Sequence, residues 1–104
     1  MEFVETSIFT RRIQELLTDE EYQRLQRTLA ENPKAGEVIP RGSGLRKIRW
    51  RAGGKGKRGG IRVIYYCESA HRLYMIYAFG KFEQADLTRA QLKALSAYVR
   101  EGVL

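Results

Sequence analysis

Acidic residues are missing from the middle of this chain. None lies between Val38 and Cys67, where nine basic residues fall: Arg41, Arg46, Lys47, Arg49, Arg51, Lys55, Lys57, Arg58 and Arg62. The formal net charge is +7, yet of the 19 basic residues the ten outside that stretch face 12 acidic ones, so the positive field is local. A concentrated cationic patch on an otherwise near-neutral chain is the footprint of a polyanion, because each phosphate it neutralises releases condensed counterions. Nucleic acid is the leading candidate.

Other absences narrow the function further. Cysteine occurs once, at Cys67, which excludes an internal disulfide and a cysteine-based zinc site and fits a reducing cytoplasm. Histidine occurs once, at His71, in an expected turn away from the basic stretch, so a histidine-based acid–base pair is not expected. No His, Cys and carboxylate cluster has metal-ligand spacing, and neither a metal nor a cofactor is expected. The glycine-rich segment Gly53 to Gly60 lacks the spacing of a Walker loop or a dinucleotide-binding turn. No stretch reaches the ~20 apolar residues of a membrane span. The N-terminus has no run of signal-peptide character, so a soluble cytoplasmic protein is expected.

What is present suits one α+β domain over residues 1–104, since 43% hydrophobic content with 11% aromatics can build a single core. Phe3-Val4-Glu5 reads as a short strand, and Thr6 or Ser7 then caps a helix from Ile8 to Leu17. Thr18 followed by Glu21 forms a capping box for a second helix bearing Tyr22, Leu25 and Leu29, ended by Asn32-Pro33. Gly36 to Gly44 reads as a loop. Leu45 to Arg51, Ile61 to Cys67 and Leu73 to Phe79 are three strands of an antiparallel meander, the last two joined by a turn at Glu68 to His71. A terminal helix follows, capped by Asp86 or Thr88 and carrying Leu87, Leu92, Leu95 and Val99.

Alternation along the first meander strand puts Lys47, Arg49 and Arg51 on one face and Ile48 with Trp50 on the other. Three like charges on one side of a strand repel, which a phosphate-binding role would explain and a merely solvated sheet face would not. Arg62 on the next strand and Lys55, Lys57 and Arg58 in the intervening loop add to the same end of the sheet. A flexible tip that drapes cations along a phosphodiester backbone fits that loop. A solvated hairpin tip is the plainer alternative.

Lys47-x-Arg49, then Gly60-Ile61-Arg62-Val63-Ile64-Tyr65-Tyr66, then an apolar strand closing in Gly80-Lys81, resembles the RelE/ParE superfamily of bacterial toxins from type II toxin–antitoxin modules. The stretch from Asn32-Pro33 through Val38-Ile39 and the trailing Phe79-Gly80-Lys81 with Asp86-Leu87-Thr88 is similar to its HigB-like group. The resemblance implies a RelE-type fold and an mRNA interferase that enters the ribosomal A site of the 70S ribosome and cuts the message. It also implies silencing by a cognate antitoxin and a monomer when free. The ParE branch, which poisons DNA gyrase, and a non-catalytic ribosome- or RNA-binding protein are the rival readings, because fold alone does not decide activity.

By position the resemblance makes Lys47, Arg49 and Arg62 catalytic; the chemistry adds Lys81 to that set, and the basic patch offers Arg46, Arg51, Lys55, Lys57 and Arg58 to bind RNA. Phe82 and Thr88 stand where the family commonly has Arg and Tyr. A ribonuclease that uses the substrate 2′-hydroxyl needs a base, cations for the dianionic phosphorane and an acid for the 5′ oxygen. Lys47, crowded by Arg49 and Arg51, is the expected base; Arg62 is the expected phosphate clamp, and Lys81 or Lys57 the proton donor.

Overall fold

Each of the three helices among the described residues begins on a threonine. The computed structural model describes residues 1–53 and 57–102, and in it Thr6 accepts the Phe9 N–H at 3.1 Å to start α1 (Ser7–Leu16). Thr18 starts α2 (Asp19–Glu31) through the expected capping box: its hydroxyl accepts from the Glu21 N–H at 3.1 Å, and Glu21 Oε1 accepts from the Thr18 N–H at 2.9 Å. Thr88 starts α3 (Arg89–Arg100) with the same device, using Gln91. Of the two expected caps for the last helix, Thr88 is the one used, which leaves the Asp86 carboxylate free for another partner.

The strands are β1 (Glu2–Glu5), β2 (Glu37–Val38), β3 (Leu45–Trp50), β4 (Ile61–Ser69) and β5 (Arg72–Gly80). They form one sheet in the order β1-β5-β4-β3-β2, antiparallel throughout except where β1 runs parallel to β5 at one edge. The expected meander is its centre. Two boundaries differ from the sequence reading. The β4–β5 turn shrinks to Ala70-His71, because both strands run further than their apolar residues do. The expected loop at 36–44 contains β2, with Glu37 opposite Lys47 and Val38 opposite Arg46.

Two polar side chains, the buried Tyr65 and the half-buried Arg46, account for that short edge strand. The Tyr65 hydroxyl accepts the Gly36 N–H at 2.9 Å and donates to the Pro33 carbonyl at 2.8 Å, and Arg46 Nη1 donates to the Gly36 carbonyl at 2.8 Å. Both ties draw the segment alongside β3 so closely that a Cβ at Gly36 would lie 2.9 Å from the Lys47 carbonyl oxygen, so only glycine fits.

Both faces of the sheet are covered. On one, α1 and α2 bury Phe9, Ile13, Leu16, Leu25 and Leu29 against Ile48, Ile61, Val63, Tyr65, Leu73, Met75 and Ala78. On the other, Leu92, Leu95 and Val99 of α3, with Leu87 ahead of it, pack on Leu45, Ile64, Ile76 and Phe79. Among the described residues no helix is long and apolar enough to cross a membrane.

Candidate nucleic-acid interface

The face under α3 also carries the cations. Register places Lys47 opposite Ile64, and Arg49 opposite Arg62, so all three basic side chains leave the sheet on the side of Ile64 and Leu45. Ile48 and Trp50 go to the helical side, as alternation requires. Arg51 lies just past the strand's end. Arg49 is exposed and makes no ion pair among the described residues, whereas Arg62 is only 8% exposed. Arg62 Nη1 donates to the Gly59 carbonyl at 3.0 Å and the Ile61 carbonyl at 3.2 Å. Burial first, then the facing Arg49 charge, draws the Arg62 guanidinium below its ordinary value, while Asp86 acts in the opposite sense. Two arginines opposed across neighbouring strands store repulsion that a bound anion relieves.

Arg49, Arg51, Lys57, Arg62 and the Gly59-Gly60 turn line a cleft of about 460 Å³ at this end of the sheet. The turn depends on Gly60, whose φ is +71° and where a Cβ would sit 2.4 Å from the Trp50 carbonyl oxygen. The Lys81 N–H donates to the Gly60 carbonyl at 3.0 Å, and the Lys81 side chain packs beside Gly59, so the segment after β5 is fastened to the cleft's rim. Arg12 of α1 and the Gly80 N–H both bond the Glu83 carboxylate, which braces that segment from the far side. Burial pushes the Glu83 carboxyl up, but those bonds and the Arg12 charge outweigh it and hold it below the usual range.

The remaining basic residues divide. Arg46 lies on the helical side of the sheet, its guanidinium used by the carbonyls of Gly36 and Lys34, so it does not share a face with Lys47 and Arg49. Lys57 Nζ donates to the Leu16 carbonyl at the end of α1. The Gly53 N–H donates to Glu21 Oε2 at 2.7 Å, so the loop's two described ends are both tied to the α1–α2 junction. Arg58 is exposed. Lys55, the remaining cation of the loop, falls outside the described residues. The expectation of a mobile tip between Gly53 and Gly60 therefore rests partly on residues outside the description, while its two anchors are defined.

Lys47 has a partner distant in sequence. Its Nζ lies 3.0 and 3.1 Å from the two carboxylate oxygens of Asp86, just ahead of α3. In the sequence Lys47 is surrounded by cations; the structure adds a carboxylate. Burial acts to raise the Asp86 carboxyl, but the Lys47 and Leu87 hydrogen bonds and the Lys47 and Lys81 charges hold it below its ordinary value. The signal for Asp86 was in the chain, since a capping box at Thr88 leaves Asp86 without a cap to make. Phe82 is 44% exposed with its ring over Gly80, and Thr88 is committed to the cap of α3. Among the described residues no three His, Cys, Asp or Glu side chains gather as a metal site.

Residues 2–102 match the family described as the RelE toxin of the RelE/RelB toxin–antitoxin system. The chain belongs to that family. The strand, helical hairpin, mixed five-stranded sheet and C-terminal helix are a RelE-type fold. Membership assigns a toxin role within a toxin–antitoxin module, with an antitoxin as its partner, and ribonuclease chemistry in the general sense that a RelE toxin implies.

Proposed function

We propose that this RelE-family toxin is a ribosome-dependent mRNA endoribonuclease of the HigB-like group, acting on messages in the A site of the 70S ribosome. In this reading it works as a monomer in the cytoplasm and is silenced by a cognate antitoxin. The observation that carries the proposal is the opposition of Arg49 and Arg62 across β3 and β4, next to Lys47, at a cleft rimmed by further cations. Guanidinium groups stay protonated and match phosphate oxygens bidentately, so this pair suits a phosphorane whose charge grows in the transition state. Lys47 binds a phosphate oxygen, and Lys81, fastened at the rim, is the proton donor for the departing 5′ oxygen.

The same geometry supports a dependence on the ribosome. The cleft supplies charge but little to orient a 2′-hydroxyl in line with phosphorus, and positioning of that kind contributes as much as ~7–11 kcal/mol to such reactions. A message threaded through the A site arrives with its backbone already constrained. Arg51, Arg58 and Lys55 then add sequence-independent phosphate contacts.

Inducible expression without an antitoxin, with protein and DNA synthesis followed separately, tests the proposal. Protein synthesis stops first and messages are cut within coding regions. An early DNA-damage response with intact mRNA supports the gyrase-directed alternative instead, and translation arrest with intact mRNA supports a non-catalytic ribosome binder.

A further inference from the structure

The cleft is rich in cations, but the cleavage step also needs a group that accepts a proton, and an arginine cannot be one. Lys47 is ion-paired as an ammonium, which has no lone pair to offer. Asp86 is the carboxylate that touches it. Its side chain is 59% exposed against 23% for Lys47, so a substrate can reach the carboxylate while the lysine lies beneath. Its position is set from both sides: the Leu87 N–H donates to Oδ1 at 2.8 Å, and Gln84 Nε2 bridges the Asp86 carbonyl and Gln91 Oε1, each at 2.8 Å. With Thr88 capping α3, the Asp86 carboxylate has no duty in starting the helix.

We propose that Asp86 is the proton acceptor of the cleavage reaction, held on Lys47 in the free protein and released when the scissile phosphate takes its place on the ammonium. The proposal rests on the ribonuclease reading above. In the step, an Asp86 oxygen takes the 2′-hydroxyl proton and the 2′ oxygen forms its bond to phosphorus. The bond from phosphorus to the 5′ oxygen breaks, and that oxygen takes a proton from the Lys81 ammonium. The products are a 2′,3′-cyclic phosphate and a 5′-hydroxyl; Asp86 and Lys81 return to their starting charges by exchange with water.

Exchange of the carboxylate for a phosphate also tunes the base. In the free protein the Lys47 bond is the foremost influence that opposes burial at Asp86. Moving Lys47 onto a phosphate leaves burial less opposed, which lifts the carboxyl toward the range where a general base is effective. The charged groups that act on it are Lys47 on β3, Arg62 on β4 and Lys81 after β5; Arg49 faces Arg62, and Glu37 on β2 is opposite Lys47 in register. Glu37 is the rival carboxylate, but it makes no ion pair with Lys47 among the described residues.

The test is single-turnover cleavage of a defined mRNA on programmed ribosomes, across pH, with wild type, Asp86→Asn and Glu37→Gln, alongside ribosome affinity and thermal melting. Asparagine keeps the acceptor for the Leu87 N–H but cannot take a proton. Asp86→Asn is expected to cut about 10²–10⁴-fold more slowly, to bind ribosomes at least as tightly, and to lose the acid limb of the wild-type pH profile; Glu37→Gln keeps the wild-type rate. Cleavage by Asp86→Asn at or above the wild-type rate overturns the proposal and makes Asp86 a counter-ion. A loss confined to Glu37→Gln overturns it in favour of Glu37, and a loss in Asp86→Asn explained by weaker binding or by unfolding overturns it as well. Failure of wild type itself to cut overturns the ribonuclease reading, which separates that outcome from the others.

Discussion

Under α1 and α2 the buried strand residues are apolar apart from the satisfied Tyr65 hydroxyl: Ile48, Ile61, Val63, Leu73, Met75 and Ala78 meet helical residues that are themselves almost wholly enclosed. Under α3, Leu45, Ile64, Ile76 and Phe79 share their face with Lys47, Arg49 and Arg62, and the α3 residues that cover them are only partly buried. One strand feeds both. In β3 the even positions Ile48 and Trp50 anchor the first face, while the odd positions Lys47 and Arg49 face the second. From Lys47 to Trp50, charge and apolar packing are thus separated by the two-residue period of a strand, and a cationic surface stays fixed in place because its other side is bolted to a dry core.

Substitutions can break this division or sharpen it. Leu25→Ala on α2, with no exposed surface, leaves a cavity on the helical side and is expected to cost about 3 kcal/mol, within the range for buried leucines. In a domain of this size that lowers the melting temperature by roughly 10–25 °C, and the fraction that stays folded keeps its activity. Arg62→Ala blurs the division, because Arg62 serves both the site and the Gly59 and Ile61 carbonyls. Cleavage and toxicity fall by ~10²–10³ from loss of one transition-state donor, and melting shows a smaller loss of about 1–3 kcal/mol from the vacated hydrogen bonds.

Glu21 joins the two regions, since one carboxylate caps α2 and holds Gly53 at the foot of the basic loop. The Thr18 and Gly53 backbone bonds, in that order, lower its carboxyl from an ordinary value of 4.5 despite opposing burial. A group depressed by folding stabilises the native state above its unfolded value, and that contribution drains away as pH falls through the folded value. Glu21→Gln is therefore expected to cost about 2 kcal/mol at neutral pH and progressively less below about pH 4.5, read by chemical denaturation across a pH series. The smallest effect belongs to Arg58, exposed at the loop's edge. Arg58→Ala shifts stability by less than ~0.5 kcal/mol and reduces the log–log salt slope of ribosome binding by roughly 0.7–0.9, one phosphate contact.

The helices were legible because capping residues and apolar spacing are local signals: Thr18 with Glu21 announces α2 wherever it packs. The faces of β3 were legible for the same reason. Not legible were features fixed by partners distant in sequence. The strand at Glu37–Val38 is only two residues long and exists because Tyr65 and Arg46 reach back to the 33–36 segment. Alternation alone puts Arg46 on the face opposite Lys47, but does not show that its guanidinium is taken up by the Gly36 and Lys34 carbonyls. Lys57 read as an RNA-binding loop cation or proton donor, and its Nζ donates to the Leu16 carbonyl at the end of α1. The Lys47–Asp86 pair spans 39 positions, and no pattern within either segment points to the other.

Arg49 tests the division most directly, because it is exposed, ion-pairs with none of the described residues, and faces Arg62 on the α3 side. The measurement is the rate at which purified Arg49→Ala cuts a defined mRNA in the ribosomal A site, taken with its melting curve. The account predicts a melting temperature equal to or slightly above wild type, as the repulsion with Arg62 is relieved, and cleavage slower by ~10²-fold, the loss of one phosphate-directed guanidinium. Wild-type cleavage by a normally folded Arg49→Ala would contradict it, and so would a collapsed melting curve, which would mean the cationic face also holds the fold together.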